Sequence, residues 1–369
     1  MRIAFVDITR WDYNVDTPYR APLGGSQSAL CYLAEELAKL GHDVRLFNCS
    51  SQVSVVRGVT CAPVQRVSAA AWRELDVVIV QNWAELGVDL RPLLRSDAKL
   101  ILWTQHADDQ PAMRFLTDPK FRDAHDAFAF VSNWQRARFE EVYQVAPSRS
   151  QVMRNAIAPA FENRFARGTD ILGGKQQPPV LAYTSTPFRG LNLLLAAFPW
   201  IREALPGVTL RVYSSMKVYQ VAAEKDATQY GELYERCNTT AGVDYVGSLP
   251  QPELASELSR VSVLSYPNHF AETSCIAVME AMASGCHVVT SLLGALPETT
   301  AGFGTLVSMG DDSSVYVNRF IEATVGALRC LSDQPAEANA QLAEQVAFVN
   351  DCCTWRRRAY EWQTWLESL

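Results

Sequence analysis

Short apolar runs alternate with helical patterns along the first half of the chain. Helical spacing of apolar positions in "SALCYLAEELAKL", together with the stretch "NWQRARFEEVY", predicts two long helices. The runs "VVIV", within "LDVVIV", and "AFAFV" are apolar throughout, which is typical of parallel strands covered on both faces. Together the runs rich in β-branched and aromatic residues predict strands at residues 3–7, 43–47, 77–80, 100–104 and 127–131.

The same alternation resumes after an irregular stretch rich in Gly, Pro and polar residues, at 159–180, which is the best linker candidate. Strands follow at residues 180–184, 209–213, 244–246, 261–266 and 287–290, separated by helical patterns such as "PELASELSRV". We therefore predict an α/β fold with two Rossmann-like, doubly wound domains facing an interdomain cleft where ligands bind. The predicted domains span residues 1–165 and 176–352.

A last helical pattern covers residues 353–369. It places Trp355, Ala359, Trp362 and Leu366 on one stripe. The three consecutive arginines before Ala359 spread around the helix, which favours a packed terminal helix over a basic membrane-surface helix. We expect this helix to pack on the first domain, with peripheral membrane association at most.

Composition and charge narrow the class of protein. The chain has 369 residues, enough for two domains, and is 48% apolar and 20% charged, as soluble globular proteins are. Its net charge of −7 argues against a generic nucleic-acid binder, and "MRIAFVDI" is too short an apolar run for a membrane span, so we expect a cytoplasmic protein. Nine scattered cysteines without Cys-x-x-Cys spacing indicate reduced thiols rather than a disulfide frame or zinc site.

Two candidate sites lie in the first half. Gly24 and Gly25 precede a helix, where backbone N–H groups can approach an anion; the alternative is a simple turn with Ser26 as helix N-cap.

His106, followed by Asp108 and Asp109, comes after an apolar strand, where a histidine can bind a sugar hydroxyl or a phosphate. The aspartates suggest a metal or a helix start, and without further ligand spacing we expect no metal site.

Two more lie in the second half. "YTSTPFRG" ends a strand in a hydroxyl-rich turn that includes Ser185, and Arg189 follows at a helix start, placed to clamp a phosphate or to lie on the surface beside a cap. "HFAETSCIAVMEAMASG" reads as a loop carrying Glu272 and a helix from about Ser274 that carries Glu280 two turns inside. Eight positions separate these carboxylates, so they form no acid pair. Glu272 in the loop can accept a hydrogen bond from a sugar, and Glu280 in the helix can accept hydrogen bonds from two ribose hydroxyls. The alternative is that both carboxylates are simply solvated.

These stretches resemble, in order along the chain, the motifs of retaining glycosyltransferases of family 4 (glycosyl transferases group 1), which have the GT-B fold. "ETSCIAVMEAMASG" is similar to the family's donor signature, with two glutamates eight apart, and "LGGSQSALCYLAEELAKLGHDV" to its glycine loop. "VSNWQRARFEEVY" with "VMRNAIAPAF" resembles its crossover segment, and "TSTPFRGLNLLLAAF" its phosphate turn. Where the family usually has Pro-Phe-Gly, this chain has Thr273-Ser274-Cys275.

The resemblance implies roles for particular positions. Glu280 would hold the nucleotide ribose, Glu272 the transferred sugar and Arg189 the diphosphate, with His106 facing the sugar. The remaining donor-binding positions that it implies are Gly24, Gly25, Ser185, Val246, Gly247, Thr273, Ser274, Cys275 and Ile276.

The implied activity is transfer of a sugar from a UDP- or GDP-sugar to a hydroxyl acceptor with retention, with no tightly bound cofactor and no essential metal. Two other classes stay open. One is a nucleotide-sugar epimerase or glycoside phosphorylase on the same fold, and the other is a non-catalytic sugar-nucleotide binding protein. The sequence names neither the acceptor nor the oligomeric state.

Overall fold

The computed structural model describes residues 1–310 and 312–369, which form two compact units. The first unit contains Met1–Pro18, Gly25–Ala156 and Trp355–Leu369, and the second contains Tyr19–Gly24 and Ile157–Thr354. Each unit holds one sheet of largely parallel strands with helices between them. The predicted α/β class with two parallel-sheet domains is therefore confirmed.

The first unit has an eight-stranded sheet in the order β3-β4-β2-β1-β5-β6-β7-β8, parallel apart from the β3–β4 pair. Its interior is filled by strand residues such as Val78, Leu102 and Phe128, which have no solvent exposure. The strands are β1 (Arg2–Val6), β2 (Asp43–Asn48), β3 (Ser54–Val56), β4 (Val59–Pro63), β5 (Val77–Gln81), β6 (Lys99–Thr104), β7 (Ala127–Phe130) and β8 (Ser150–Val152).

The second unit has a six-stranded, fully parallel sheet in the order β11-β10-β9-β12-β13-β14. Because β9 and β12 are neighbours at the centre, the loops that leave their carboxyl ends meet at one edge of the sheet. The strands are β9 (Val180–Tyr183), β10 (Thr209–Val212), β11 (Val243–Tyr245), β12 (Val263–Tyr266), β13 (His287–Ser291) and β14 (Thr305–Val307).

Helices connect the strands in both units. The helices before residue 157 are α1 (Thr17–Arg20), α2 (Gly25–Lys39), α3 (Ala69–Arg73), α4 (Leu86–Leu90), α5 (Pro119–Arg122) and α6 (Asn133–Tyr143). The later helices are α7 (Leu191–Ala204), α8 (Ala223–Thr239), α9 (Gln251–Leu258), α10 (Ile276–Ala283), α11 (Leu296–Thr300), α12 (Ser313–Asp333), α13 (Pro335–Cys352) and α14 (Trp355–Ser368). Within the described residues, no helix is long and apolar enough to span a bilayer.

The end of the chain belongs to the first unit. Trp362 of α14 is fully buried, and its ring lies 5.3 Å from that of Trp103 in an edge-on contact. The first unit ends at Ala156 rather than at residue 165, because Ile157 bridges to Thr354 and the Ala158 N–H donates to Glu280. All nine cysteines are free thiols, most of them buried.

Candidate functional site

The turn after β9 depends on a glycine. Gly190 has a φ of 110°, and a Cβ built there would lie 2.1 Å from the Pro267 carbonyl oxygen. The turn therefore packs directly on the chain that leaves β12. Within it, the Thr186 carbonyl accepts from the Tyr183 hydroxyl at 2.7 Å. This packing brings the turn next to the loop that carries Glu272.

Arg189 and Glu272 form one ion pair. Arg189 Nη1 lies 2.5 Å from Glu272 Oε1, with only 20% and 6% of the two side chains exposed. The guanidinium also lies over the Phe270 ring, 4.5 Å from its centroid. Burial is the largest single influence and acts to lower the pKa of Arg189, but the charges of Glu272 and two nearby tyrosines, together with the hydrogen bond to Glu272, outweigh it and the pKa is raised. Arg189 is thus no solvated surface arginine, and its Nε is buried with no hydrogen-bond partner among the described residues.

Tyr266 joins this pair although the sequence reasoning did not select it. Its hydroxyl donates to Glu272 Oε1 at 2.6 Å and lies 3.4 Å from the hydroxyl of Ser185. Tyr266 is the last residue of β12, and its position at the carboxyl end of a central parallel strand was the available signal.

Glu280 lies inside α10 and is buried. Helix α10 begins at Ile276, so Glu280 is about one turn inside it rather than two, because the chain bends at Thr273 and Ser274 and is extended at the N-cap, Cys275. The helix ends as predicted, with Gly285 in the left-handed conformation at φ 67°. Glu280 Oε1 accepts from the Ala158 N–H at 3.2 Å. Burial raises the pKa of Glu280 to about 8, although this N–H and the Gln251 side chain act to lower it. A solvated Glu280 is therefore excluded.

The segment between the two glutamates faces inward. Thr273 and Cys275 are buried, and Ser274 and Ile276 are half-buried. Cys275 is the N-cap of α10 but makes no capping hydrogen bond with its side chain. Burial raises the pKa of its thiol well above the usual range, which keeps the group neutral.

The N–H groups of the two residues after β11 are already hydrogen-bonded within the protein. The N–H groups of Val246 and Gly247 both donate to the Val212 carbonyl, at 3.0 and 3.3 Å. Ser248 follows, with its hydroxyl 2.6 Å from that of Ser215. The N–H groups of Val246 and Gly247 are therefore used within the protein, whereas their carbonyls can still meet a base.

The remaining predicted residues are Gly24 and Gly25, at the start of α2, and His106, after β6. Helix α2 begins at Gly25, so the alternative with Ser26 as N-cap is wrong; Ser26 lies inside the first turn. Gly24 is buried and is grouped with the second unit, whereas Gly25 is exposed and belongs to the first.

His106 follows β6 and has a fixed backbone. Its N–H donates to Thr104 Oγ1 at 3.1 Å, and its carbonyl accepts from Gln135 Nε2 at 2.8 Å. Asp108, one of the two aspartates after it, pairs with Arg138 at 2.8 Å. In the part of the chain that the structure describes, no group of three or more His, Cys, Asp or Glu side chains could hold a metal ion.

Sequence reasoning also missed a buried carboxylate at the end of β1. Asp7 has no solvent exposure and accepts from the Tyr13 hydroxyl at 2.7 Å and from Gln27 Nε2 at 3.1 Å. These bonds tie the long loop after β1 to the first turn of α2. An acidic residue ending an apolar strand was the only signal for it in the sequence.

Part of the chain matches a known family model. Residues 178–323 match the model described as Glycosyl transferases group 1, and this range includes Arg189, Glu272, Glu280 and Tyr266. No curated protein matches the sequence significantly.

Solved structures match over the whole chain. Sucrose-phosphate synthase from Thermosynechococcus elongatus is 17% identical with a TM-score of 0.71, covering 100% of this chain and 98% of its own. HepE from Anabaena, in complex with UDP, is 14% identical with a TM-score of 0.71, covering 100% of both chains. A glycosyltransferase from Rickettsia africae is 12% identical with a TM-score of 0.72, covering 100% of this chain and 98% of its own. The two parallel-sheet domains of the chain thus have the GT-B fold seen in glycosyltransferase structures.

Proposed function

We propose that the protein is a glycosyltransferase that moves a sugar from a nucleoside diphosphate sugar to an acceptor hydroxyl with retention of configuration. The observation that carries the proposal is the guanidinium of Arg189. It is held by Glu272 and Phe270, while its buried Nε lacks a hydrogen-bond partner among the described residues. Leaving a buried donor unpaired costs free energy, and phosphate oxygens, like carboxylate oxygens, are strong acceptors for a guanidinium.

The other side chains in the second unit fit the remaining parts of such a donor. Glu280, in its apolar surroundings, would accept the ribose hydroxyls, and Glu272 would accept a hydroxyl of the sugar. Ser185 and the N-terminus of α10, at Cys275 and Ile276, would add hydrogen bonds to the diphosphate.

Residues outside this cluster complete the proposed donor site. The backbone at Val246 and Gly247 would meet the base, Gly24 and Gly25 would approach the diphosphate or sugar, and His106 would face the sugar.

Catalysis would follow from stabilising charge on the leaving diphosphate. Arg189 and the helix N-terminus would supply that stabilisation, and such preorganised charge is usually the largest contribution to rate acceleration. We assign no protein side chain as the base and propose no essential metal. The acceptor would be a hydroxyl of a glycan, a lipid-linked sugar or a secondary metabolite, in a cytoplasmic reaction such as polysaccharide biosynthesis.

The first donors to test are uridine diphosphate sugars, because the similar HepE structures hold UDP and UDP-glucose. GDP-sugars come second. Thermal unfolding should be screened against both sets, since a ligand at about a hundred times its dissociation constant adds about 2.7 kcal/mol. Release of nucleoside diphosphate is then measured with the stabilising donor and a panel of hydroxyl acceptors. No stabilisation by any nucleotide or nucleotide sugar would refute the proposal.

The same screen separates the alternatives. An epimerase would convert the donor sugar without releasing the nucleotide, and a phosphorylase would need phosphate and a bound pyridoxal group visible by its absorption. A binding protein would be stabilised by a nucleotide sugar yet release no diphosphate with any acceptor.

A further inference from the structure

Two donors converge on a single oxygen of Glu272. Arg189 Nη1 and the Tyr266 hydroxyl both donate to Oε1, at 2.5 and 2.6 Å. No residue in the described ranges donates to Oε2. A carboxylate oxygen accepts about two hydrogen bonds, so Oε1 is fully used and Oε2 is the oxygen left to meet a ligand.

The phenol of Tyr266 is itself rigidly held. The residue is 2% exposed, its ring lies 5.8 Å from that of Tyr183, and its carbonyl accepts from Thr290 Oγ1 at 2.8 Å. As the last residue of β12 it is paired in register with Thr290 of β13. Burial raises the pKa of its hydroxyl well above the ordinary value, which keeps the group protonated and able to donate.

We propose that Tyr266 is a positioning residue that fixes the orientation of Glu272 and thereby selects the configuration of the donor sugar. The inference rests on the proposed function and names what sets its specificity. With Oε1 held by two donors, the carboxylate presents one acceptor, Oε2, at one place. A sugar whose hydroxyl points there is bound, whereas its epimer leaves a buried acceptor unpaired and is rejected.

The Arg189 contact alone does not supply this rigidity. An arginine on an ion pair can follow a rotating carboxylate, because its side chain has several rotatable bonds. The Tyr266 hydroxyl cannot follow, since its ring is fixed in the strand and packed on Tyr183. Removing the Tyr266 hydroxyl should therefore let the Glu272 carboxylate rotate, while its charge and its salt bridge with Arg189 remain.

The test is the Tyr266→Phe variant, which deletes the hydroxyl and keeps the ring. KM and kcat are measured for the donor found in the screen and for its epimers at C2, C3 and C4, together with the affinity for the nucleoside diphosphate alone. We expect unchanged affinity for the nucleoside diphosphate, a raised KM for the preferred donor, and a preference between the epimers reduced about tenfold, as for loss of a hydrogen bond to a charged group. An unchanged preference would overturn the assignment.

Tyr316→Phe is the matched control. Tyr316 is equally buried in the same unit, but its hydroxyl lies 2.6 Å from Ser291 Oγ rather than on Glu272. It should leave the epimer preference unchanged. An equal loss in both variants would mean general loosening of the site and would overturn the role of Tyr266.

A double-mutant cycle with Glu272→Gln tests whether Tyr266 acts through Glu272. The two changes should be strongly non-additive, so that Tyr266→Phe has little further effect on epimer preference in the Glu272→Gln background. Full additivity would overturn the assignment. A wild-type protein that neither binds nor uses any nucleotide sugar refutes the proposed function and this assignment together, whereas an active wild type with an unchanged Tyr266→Phe preference refutes this assignment alone.

Discussion

The buried carboxyl of Glu280 should make the stability of the protein depend on pH in a way that one substitution removes. Its pKa is raised from 4.5 to about 8 by burial. In the folded protein the group therefore keeps its proton over a pH range in which the unfolded chain has released it. The stability that it contributes is fully present below pH 4.5, and is lost as pH rises through 8.

The size of the effect follows from the gap between the two pKa values. At about 1.36 kcal/mol per pH unit, the full span corresponds to about 5 kcal/mol. The part that falls between pH 5.5 and 7.5 is about 2 to 3 kcal/mol. Salt bridges and histidines elsewhere do not change the difference between two variants, because both variants contain them.

The comparison is between wild type and Glu280→Gln. Glutamine keeps an oxygen that accepts from the Ala158 N–H but does not titrate. Urea unfolding at pH 5.5, 6.5 and 7.5 should show that wild type loses about 2 to 3 kcal/mol more than the variant over this range. Glu322→Gln, an exposed change on α12, should follow the wild-type curve. Parallel curves for wild type and Glu280→Gln would refute the reasoning.

Three further changes test other contacts. Gly190→Ala should destabilise by more than about 2 kcal/mol, because the added Cβ meets the Pro267 carbonyl in a left-handed backbone conformation. Trp362→Ala should cost about 3 to 5 kcal/mol, since it empties a fully buried site. Arg189→Met should cost about 3 to 5 kcal/mol by leaving Glu272 without its cation. Urea unfolding measures all three.

Each of these changes has a matched control. Gly302→Ala shares a positive φ, of 88°, but its Cβ would meet nothing within 4 Å, so a loss equal to that of Gly190→Ala would contradict the clash. Tyr360→Ala removes a half-exposed ring of the same helix as Trp362 and should cost less than about 1 kcal/mol. Arg189→Lys keeps the charge and should lose less than Arg189→Met; equal losses would mean that packing, not charge, matters there.

The hydrophobic pattern predicts ten of the strands in the described residues and most long helices, because buried parallel strands have continuous apolar runs. It misses β3, β8 and β14, which have three residues each, and β4, which ends in a proline. Apart from β11, runs this short show no readable pattern, and the pairing that makes them strands comes from neighbours distant in sequence.

The candidate site, like the fold, is predicted only in part by the sequence. Motif spacing selects Glu272, Glu280 and Arg189, but it does not predict their state. The ion pair joins residues 83 positions apart, and the N–H that meets Glu280 lies 122 positions away. Only the fold brings these groups together, so burial, pairing and the raised pKa of Glu280 could not be read from local sequence.

Calorimetric titration of nucleotide sugars is the most direct test of the central claim, that the second unit binds a nucleoside diphosphate sugar through Glu280. Wild type and Glu280→Ala are titrated with UDP- and GDP-sugars, with Glu322→Ala as control. We predict binding of at least one donor by wild type and by the control, and affinity at least about tenfold weaker in Glu280→Ala, as for loss of two hydrogen bonds to a buried side chain. Equal affinities in all three proteins, or no binding by wild type, would contradict the claim.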